Sequence, residues 1–441
     1  MSRRLILAAL AGAVALAGCG DGSNGFDPRR QIGAHPVLPE PNQYLVPPIK
    51  VAKVIGWKAN EAPTAPNGLR VQALARDLQH PRNLYVLPNG DILVVESQGP
   101  NLEPITRPKS PIIGWVEKRA TSQSGAASGP SNRITLLRDA DGDGIPELRT
   151  VLVDHLNSPF GIAFADNFLY VAATDAILRY PFTPGQTRIT APATILTPLP
   201  GGPIDHHWTK SLTLSPDGKL LYVTVGSNSN ITENGLEAEH GRAAVWEVDR
   251  ASGRAREYAT GLRNPNSPAF YPGSNIFWVV VNERDELGPN LVPDYMTSVR
   301  DGGFYGWPYS YYGRHLDPRV RPQRPDLVAR AIVPDYALSS HVAALGLAFY
   351  TGADLPAAYR GGAFIGEHGS WDRRQFNGYK VVFVPFAGGR PSGMAQDFLT
   401  GFLAGDGETH GRPVGVAVDR VGALLVADDV GNTVWRVSSK R

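Results

Sequence analysis

Residues 208–227, WTKSLTLSPDGKLLYVTVGS, contain the pattern that decides the fold. Two short stretches in which apolar and polar residues alternate flank a Pro-Asp-Gly turn, and this arrangement predicts an antiparallel hairpin. Variants of the phrase recur at 80–97 (HPRNLYVLPNGDILVVES), 158–174 (SPFGIAFADNFLYVAAT), 264–283 (NPNSPAFYPGSNIFWVVVNE), 344–369 (ALGLAFYTGADLPAAYRGGAFIGEHG) and 412–429 (RPVGVAVDRVGALLVADD). Such self-similarity predicts repeated units that stack on one another.

Most copies are followed by a further strand-like stretch, such as AILRYPF or AAVWEVD. Six copies of this kind predict an all-β fold, a six-bladed β-propeller of four-stranded antiparallel blades. The early stretch 69–75, LRVQALA, is expected to supply the outer strand that closes the ring with the last blade. An open sandwich of stacked sheets is the alternative, but it explains the strands without explaining the recurring phrase.

The composition of the 441 residues agrees with this class of fold. Gly 48 and Pro 38 suit many turns between short strands. Lys+Arg 43 against Asp+Glu 41 gives a net charge of only +2, so no basic surface for nucleic acid is expected. A single cysteine excludes an intramolecular disulfide.

The first residues resemble a bacterial lipoprotein signal. Arg3 and Arg4 precede an apolar stretch, 5–16, that is too short to span a bilayer, and Leu-Ala-Gly-Cys follows at 16–19. In lipoproteins this lipobox is cut before the cysteine, whose sulfur then carries a diacylglycerol. We therefore expect a lipid-anchored protein of the bacterial cell envelope, with membrane contact through Cys19 alone and the folded part in the periplasm or outside the cell. An ordinary secretory signal is the alternative.

The domain organisation follows from composition. Residues 1–19 are predicted to be the signal peptide, and 20–65, rich in Gly and Pro, a tether. Residues 66–441 are predicted to form the propeller. Three stretches, 97–131, 282–308 and 309–335, interrupt the repeat, and long loops of this kind usually build a binding site at one rim. Of the aromatic residues in the last two, Tyr305 and Trp307 are expected to be structural.

Four local motifs add chemistry to the repeats. They are His206-His207-Trp208-Thr209-Lys210, GLRNP at 261–265, NERDELG at 282–288 leading to GGFYGWP at 302–308, and GRPVG at 411–415. Together with the repeats they resemble the family of glucose/sorbosone dehydrogenases that depend on pyrroloquinoline quinone (PQQ), in particular its sorbosone-dehydrogenase-like branch. The resemblance covers most of residues 66–441.

The resemblance implies a general base at His207, with His206 beside it as a candidate cofactor-binding residue. Oxidation of a sugar hydroxyl removes a proton from oxygen while hydride leaves carbon, and a neutral imidazole suits the first task. Arg263 and Asn264 would face the quinone oxygens, where negative charge develops on reduction. Without the family, His206 and His207 would be interpreted as loop or capping residues, and Arg263 as a surface residue of a turn.

The resemblance also implies cofactor-binding residues, with two departures. Arg412 would bind a PQQ carboxylate. The glucose-oxidising members carry a second arginine where Val414 stands here, and a lysine near His368 is missing. His368 is therefore predicted to contribute to cofactor binding, with Arg373 or Arg374 as alternatives.

Calcium has two predicted places. The family binds Ca²⁺ in the loop that corresponds to 283–289, where Asp285 and Glu286 are the candidate ligands. Separately, the segment 139–147 has alternating carboxylates that suit a hard cation, and its candidate ligands are Asp139, Asp141, Asp143 and Glu147. An EF-hand is not expected, because Thr150 stands where the last ligand should be. A small structural calcium loop and an acidic hairpin turn both remain open.

These features favour an aldose or sorbosone dehydrogenase with PQQ and Ca²⁺ that passes electrons to a quinone or a cytochrome. A propeller lactonase with a central metal is an alternative, and Glu96, Glu283 and Glu367, each expected at the end of an inner strand, are its candidate ligands. A binding propeller without catalysis is the third possibility, because one fold serves many functions.

Overall fold

The computed structural model describes residues 26–42, 49–100 and 131–440. Six antiparallel sheets form six blades, which confirms the predicted fold. Blade 1 contains Pro81–Val86, Ile92–Glu96, Arg133–Arg138 and Leu148–Val153; blade 2 contains Gly161–Ala165, Phe168–Ala172, Ala176–Pro181 and Thr194–Pro198; blade 3 contains Leu212–Leu214, Leu220–Val225, Ala244–Asp249 and Ala255–Thr260. Blade 4 contains Asn264–Phe270, Phe277–Asn282, Pro293–Ser298 and Tyr336–Ser340; blade 5 contains Ala344–Phe349, Ala363–Glu367, Lys380–Val384 and Gln396–Leu399; blade 6 contains Pro413–Val418, Leu424–Asp428, Thr433–Ser439 and Leu69–Ala75.

Smaller elements surround the blades. Gly303–Phe304 extends blade 3 and Ile32–Gly33 extends blade 4. Three further pairs join Lys53–Val54 to Glu408–Thr409, Ser310–Tyr311 to His315–Leu316, and Phe386–Ala387 to Arg390–Pro391. The helices of the described residues are the α-helix Pro325–Arg330 and the 3₁₀ turns Pro28–Gln31, Leu236–Glu239, Ala357–Tyr359 and Gly405–Gly407. Within the described residues no helix has the length and apolar character needed to cross a bilayer.

The ring closes as predicted. Leu69–Ala75 pairs antiparallel with Thr433–Ser439, so the first long strand of the chain becomes the outer strand of the last blade. This pairing joins the two ends of the repeat array by backbone hydrogen bonds and leaves no blade without both neighbours.

The first strand of every blade lines the centre of the ring. Each of these inner strands contacts the inner strands of the two adjacent blades, and the contacts join the beginning of one strand to the beginning of the next. They are Asn83–Phe160, Gly161–Leu212, Thr209–Asn266, Ser267–Leu345, Gly346–Val414 and Gly415–Asn83. All six inner strands therefore run in the same direction through the ring.

This common direction gives the ring two different ends. We call the end where inner strands begin and second strands finish the start rim. The opposite end, which carries the hairpin turns between inner and second strands, is the turn rim; its turns lie at 87–91, 166–167, 215–219, 271–276, 350–362 and 419–423. Segments far apart in sequence meet at the start rim because every blade places one loop there.

The core consists of six apolar clusters, one between each pair of neighbouring blades. Successive residues of a strand point to opposite faces of the sheet. In blade 5, Phe364 accordingly packs against blade 6, and the next residue, Ile365, packs against blade 4. A blade therefore buries both faces only through its neighbours, which gives the strands their continuous apolar character.

The segment predicted as a tether contacts the propeller in its described parts. Ile32 and Gly33 pair with Leu338 and Ala337 at the outer edge of blade 4. Trp57 packs against His410 and Trp435, and its Nε1 donates to Asp428 Oδ2 at 2.7 Å. The domain boundaries and the lipobox stay predictions, and Cys19 lies outside the described residues. The structure adds that 26–42 and 49–65 are packed segments.

The predicted interruption 282–308 contains the third strand of blade 4, Pro293–Ser298, which the sequence analysis missed. The rest of it, from 299, continues into 309–335 and brings side chains to the start rim from the outside of the ring. Gly303–Phe304 pairs parallel with Ala259–Thr260 of blade 3, and this pairing directs the chain to Tyr305 and Trp307, both buried as predicted. The chain returns at Asp335, which accepts hydrogen bonds from Thr297 and Ser298. Most of the interruption at 97–131 lies outside the described residues.

Candidate active site at the start rim

His207 lies in the loop that leads into the inner strand of blade 3. Its Nδ1 is 2.9 Å from the carbonyl oxygen of Ser227 and 2.9 Å from the hydroxyl of the same residue. A carbonyl oxygen only accepts, so Nδ1 carries the proton and donates, and Nε2 keeps its lone pair. Within the described residues Nε2 makes no hydrogen bond. The imidazole is thus oriented as a base whose basic atom is unoccupied.

The surroundings of His207 keep it neutral. Burial lowers the pKa of its imidazole well below the ordinary value, and the positive charge of Arg263 adds to this effect. The ring of His206 stands edge-on to that of His207, with centroids 4.5 Å apart. Burial opposes ionisation of Asp285, but Arg263, His341 and, to a smaller extent, His206 lower its pKa. Both histidines of the motif therefore belong to one group at the start rim.

Arg263 is buried, with 2 % of its surface exposed, and all five of its N–H donors have protein acceptors. The acceptors are Asn230 O at 3.3 Å, Asn230 Oδ1 at 3.0 Å, Asn282 O at 3.3 Å, Glu283 O at 2.6 Å and Asp285 Oδ2 at 2.9 Å. The predicted arginine is therefore beside His207, but in this arrangement it supplies a fixed positive charge and has no donor left for a cofactor oxygen.

Asn264 stands next to His207. A methyl group placed on Gly226 would lie 2.5 Å from Asn264 Oδ1 and 2.5 Å from His207 Cβ, so this glycine separates the two side chains. Asn264 Oδ1 is buried and has no hydrogen-bond partner. A buried amide oxygen without a partner is costly, and it indicates a position that a ligand would complete.

His368 and Arg412 form a second group, on blades 5 and 6. His368 Nε2 is 3.0 Å from Asp429 Oδ2, and Arg82 Nη1 is 3.2 Å from the same oxygen. Arg412 donates from Nη2 to Tyr379 Oη at 2.9 Å, while its Nε is buried without a partner. The carboxylate of Asp429 thus joins His368 and Arg82, and the backbone of Arg412 lies beside it, with its carbonyl oxygen accepting from Asp429 N at 3.2 Å.

The two groups are connected across the rim. The guanidinium of Arg82 lies over the ring of Trp208, 5.7 Å from its centroid, and Trp208 directly follows His207. Arg82 therefore connects the His207 loop with Asp429, and through it with His368. Of the two alternatives named from the sequence, Arg373 is buried and donates to Ser340 O at 3.4 Å, whereas Arg374 is exposed.

A possible metal-binding group lies next to Arg263. Ligand atoms of Asp285, His341 and Asp372 all lie within 4.8 Å of one another. His341 Nδ1 is 3.2 Å from Asp285 Oδ1, and its Nε2 is 3.1 Å from Gly288 O. Although burial opposes the charged imidazolium, the hydrogen bond to Asp285 and the neighbouring carboxylates raise the pKa of His341 to about 9. Asp372 Oδ1 is buried without a partner.

The structure separates the two metal ligands predicted at 283–289. Asp285 belongs to the group just described, but the carboxylate of Glu286 pairs with Arg319 at 2.9 Å, and only its backbone N–H reaches Asp372. The carboxylate of Glu286 therefore has another partner than the Asp285 group in this structure, and its place among the calcium ligands stays a prediction. Sequence analysis missed His341 and Asp372, because neither lies in a recognisable motif and only the ring brings them to Asp285.

The acidic segment 139–147 lies at the turn rim, between the third and fourth strands of blade 1. Its four carboxylates, Asp139, Asp141, Asp143 and Glu147, approach within 4.8 Å of one another and are mostly exposed. Backbone N–H groups of the same loop donate to them, for example Gly142 to Asp139 Oδ1 at 2.8 Å. A calcium loop and an acidic turn both stay open, and neither would contact a cofactor at the start rim.

The three carboxylates considered for a central metal lie at the ends of second strands, not inner strands. Glu96 binds Arg133 and Thr135. Burial raises the pKa of Glu283, and it raises that of Glu367 to about 8. Within the described residues these three do not form a group, so the structure offers no support for the lactonase geometry.

A cavity of about 590 Å³ opens beside this site. Its walls are residues 231–237, directly after Asn230, together with Arg319 and Arg321. The wall residues include Thr232, Glu233 and Glu237 and are therefore rich in hydrogen-bonding groups. This cavity is large enough for a small polar ligand.

Two curated relatives resemble the chain in sequence. An uncharacterized protein of Borreliella burgdorferi is 28% identical over 292 residues, 64% of this chain and 76% of the relative. The aldose sugar dehydrogenase YliI of Escherichia coli is 23% identical over 335 residues, 71% of this chain and 80% of the relative.

Solved structures agree with the fold. The holo form of the pyranose dehydrogenase PQQ domain from Coprinopsis cinerea superimposes with a TM-score of 0.69 at 20% identity, covering 88% of this chain and 100% of that one. A calcium structure of Trichoderma reesei Carbohydrate-Active Enzymes Family AA12 gives 0.68 at 18%, covering 90% and 99%. At this identity the likeness shows the fold.

The predicted relationship to PQQ-dependent sugar dehydrogenases is confirmed at the level of the family, while the sorbosone-dehydrogenase-like branch stays a prediction. The decisive comparison is the family profile described as TrAA12-like, which matches residues 132–296 and 327–440. These ranges include all twelve predicted site residues, among them His207, Arg263 and Arg412. The chain belongs to the TrAA12-like family.

Proposed function

We propose that this chain is a PQQ-dependent dehydrogenase that oxidises an aldose, sorbosone or a related sugar at a CH–OH carbon. The observation that carries the proposal is the orientation of His207. Its Nδ1 is held by a carbonyl oxygen, its Nε2 makes no hydrogen bond within the described residues, and its pKa is lowered, so a neutral base faces the start rim at neutral pH.

The cofactor fits the residues present. Asn264 Oδ1 and Arg412 Nε are buried polar atoms without partners, and a ligand with complementary groups would satisfy both. Arg412 would bind a carboxylate of PQQ, and Asn264 and His368 would contact the cofactor from either side of the site. The relative from Coprinopsis cinerea, described as a PQQ domain in its holo form, supports this proposal.

Each residue then has a task in the reaction. His207 Nε2 accepts the proton of the sugar hydroxyl, and a C=O bond forms as hydride leaves the carbon. Bound PQQ would supply the hydride-accepting quinone for this oxidation. Arg263 places a buried positive charge next to the site, which favours negative charge that develops there. Because its N–H groups are already bound by protein oxygens, this charge is fixed before the substrate arrives.

We include Ca²⁺ in the proposal, with Asp285 and Asp372 as its protein ligands. Both offer the carboxylate oxygens that calcium prefers, and Asp372 Oδ1 is buried without a partner. Glu286 is not part of this proposed set, and His341 lies beside it, with Nδ1 3.2 Å from Asp285 Oδ1. A calcium structure of the Trichoderma reesei relative supports the inclusion.

The substrate and the cellular setting complete the proposal. The cavity beside Asn230 would admit the sugar, because its walls combine carboxylates, hydroxyl and guanidinium groups that match sugar hydroxyls. We propose that Cys19 carries the lipid anchor and that the propeller works in the bacterial cell envelope. Electrons would pass from the reduced cofactor to a quinone or a cytochrome.

The test is reconstitution of the purified protein with PQQ and Ca²⁺. Absorbance changes would measure PQQ binding, and dye reduction with a panel of sugars would measure turnover. We expect His207→Ala to lower turnover by about 100-fold or more while PQQ still binds. Arg412→Met should weaken PQQ binding by about tenfold or more, because it removes a charge-assisted contact.

The matched control is Arg360→Met, which removes an exposed arginine from the turn rim and should leave both measurements unchanged. Hydrolysis of lactones without PQQ would contradict the proposal in favour of a propeller hydrolase. Absence of both PQQ binding and turnover would contradict it in favour of a non-catalytic binding propeller.

A further inference from the structure

We propose that Lys210, with Asp205 and Arg242, forms a buried charge cluster that holds the His207 imidazole in the orientation of a base. Lys210 is then a positioning residue for the reaction proposed above, and the inference rests on that function. The cluster is defined by these three side chains and is called the loop clamp below.

The loop clamp makes hydrogen bonds to the chain on both sides of His207. Arg242 donates from Nη2 to Ile204 O at 3.0 Å and from Nη1 to Asp205 Oδ1 at 3.1 Å. Lys210 donates from Nζ to Trp208 O at 3.0 Å, and the same nitrogen is 3.6 Å from Asp205 Oδ1. The backbone is thus fixed three residues before His207 and one residue after it.

The clamp also fixes the residue to which His207 donates. Ser227 begins the segment that ends at Arg242, and its hydroxyl donates to Ser229 O at 2.7 Å. Asn228 N donates to Glu239 Oε2 at 2.6 Å, and Arg242 N donates to Glu239 O at 3.0 Å. Donor and acceptor of the His207–Ser227 hydrogen bond therefore lie on two segments that Arg242 joins directly.

The position of Lys210 is unusual for a lysine. Its side chain and that of Asp205 are 0% exposed, and that of Arg242 is 2% exposed. A buried ammonium loses its hydration, which is costly unless partners compensate. Burial lowers the pKa of Lys210 to about 8, although Asp205 acts in the opposite direction. Two cations share one carboxylate here, so the pair Asp205–Arg242 would balance its own charge without Lys210.

This charge balance argues for a positional role. If the interior of blade 3 needed only packing, an apolar side chain of similar length would fill the same space at lower cost. Lys210 differs from such a residue in one respect: it donates to the carbonyl of Trp208, the residue after His207. Without that contact the loop has fewer constraints, and the imidazole gains other orientations and its second tautomer.

The experiment compares Lys210→Met with the matched control Lys219→Met. Lys219 lies on the same blade at the turn rim, 79% exposed and 3.7 Å from Asp217, so the control removes an equal charge from solvent. The first readout is the tautomer of His207, measured by ¹⁵N NMR of protein with labelled histidine and assigned by comparison with His207→Gln. This readout needs neither PQQ nor sugar.

We expect the original protein and Lys219→Met to show the tautomer with the proton on Nδ1. Lys210→Met should show a mixture of both tautomers. In the reconstituted enzyme kcat should fall by about tenfold or more, because small errors of orientation are costly, while KM stays within about twofold. A purely structural role would lower stability without altering the tautomer or separating kcat from KM.

An unchanged tautomer in folded Lys210→Met would overturn the inference, whether or not the protein oxidises sugars. If Lys210→Met does not fold, Asp205→Asn takes its place, because it weakens both clamp contacts through Asp205 and keeps the shape of the side chain. The same mixture of tautomers is expected there, and its absence would overturn the inference equally. If the original protein shows no dehydrogenase activity but Lys210→Met still shows the expected mixture of tautomers, the proposed function alone is refuted.

Discussion

The two rims of the propeller differ in how their polar groups obtain hydrogen-bond partners. At the turn rim, short hairpins satisfy their own polar groups: Asp419 Oδ1 accepts from three successive backbone N–H groups of 421–423, and Ser215 donates to Asp217 at 2.6 Å. Contacts between blades occur at both rims, as between Arg250 and Asp166 at the turn rim, but at the start rim they join charged groups of the candidate site, as Arg82 does with Asp429. Local hydrogen bonds need no precise ring, whereas contacts between blades depend on it.

The rims also differ in which buried polar atoms lack a hydrogen-bond partner. Buried polar atoms without partners occur at both rims, for example Arg250 Nε and Trp278 Nε1 at the turn rim, but those of the candidate site and its neighbours lie at the start rim, namely Asn264 Oδ1, Glu283 Oε1, Glu367 Oε2, Asp372 Oδ1 and Arg412 Nε. Native proteins rarely leave such atoms without a partner, and exceptions concentrate where function requires them. The contrast indicates that the start rim is shaped for a ligand and the turn rim for folding. Three changes would test this contrast.

The largest effect is expected from Arg263→Met. The change removes a buried charge and leaves Asp285 with one cationic partner fewer, so the free energy of unfolding should fall by about 3–5 kcal/mol. Turnover in the reconstituted enzyme should fall by about 100-fold or more, because the fixed charge beside the site is lost. Chemical denaturation and dye reduction measure the two quantities.

Its control at the other end of the ring is Arg436→Met. Arg436 is also largely buried and pairs with Asp419 at 2.8 Å. We expect lower stability and unchanged turnover per folded molecule. Similar losses of turnover in both variants would show that the charge at the start rim has no special role.

A smaller effect is expected from Gly226→Ala. The added methyl group would press against Asn264 Oδ1 and His207 Cβ, each 2.5 Å away, and displacement of either should lower kcat/KM by about 10- to 100-fold. The control is Gly218→Ala at the turn rim, where φ is +71° and no atom lies within 4 Å. This change should cost about 1–2 kcal/mol of stability through backbone strain and leave kcat/KM unchanged. Equal kinetics in both variants would contradict the close packing of the site.

The smallest effect is expected in the pH dependence of stability. The pKa of Glu367 is raised by burial from 4.5 to about 8, so the folded state keeps a proton that the unfolded chain loses. The stability that protonated Glu367 contributes is therefore fully present below pH 4.5 and is lost as the pH rises towards 8. Glu367→Gln removes the ionising group, and its Tm at pH 9 should exceed that of the original protein by about 3 °C or more, with no gain at pH 4.

The turn rim offers a control of opposite sign. The hydrogen bond from Ser215 lowers the pKa of Asp217, so this carboxylate stabilises the fold above its unfolded pKa and less as the pH falls. The Tm of Asp217→Asn at pH 9 should not exceed that of the original protein. Thermal melts between pH 4 and pH 9 compare the two variants. A higher Tm at pH 9 in Asp217→Asn, without one in Glu367→Gln, would contradict the proposed difference between the two carboxylates.

Much of the architecture was readable from the sequence. Alternating strands and turn signals are local properties, so six recurring phrases sufficed to predict six blades, and Leu69–Ala75 was identified as the closing strand. His207, Asn264 and Arg412 were also selected, from motifs that resemble a known family, and His368 was selected because the family's lysine is missing near it. All four lie at the start rim, because His207, Asn264 and Arg412 stand where inner strands begin and His368 stands where a second strand ends.

Other parts of the site were beyond sequence analysis. His341 and Asp372 meet Asp285 although 56 and 87 positions separate them from it in the chain. The full occupation of the Arg263 donors, the separation of Glu286 from Asp285 and the packing of Trp57 on Trp435 were equally unforeseen. Each of these features depends on which loop stands next to which after the ring has closed.

The sequence by itself determined the strands, their turns and their number, because hydrophobic alternation and turn chemistry act between neighbouring residues. Only the tertiary structure decided which side chains became buried partners. Ring closure places loops of six blades around one opening, and burial there removes water, so the charge and hydrogen-bonding state of each group come from residues that are distant in the chain.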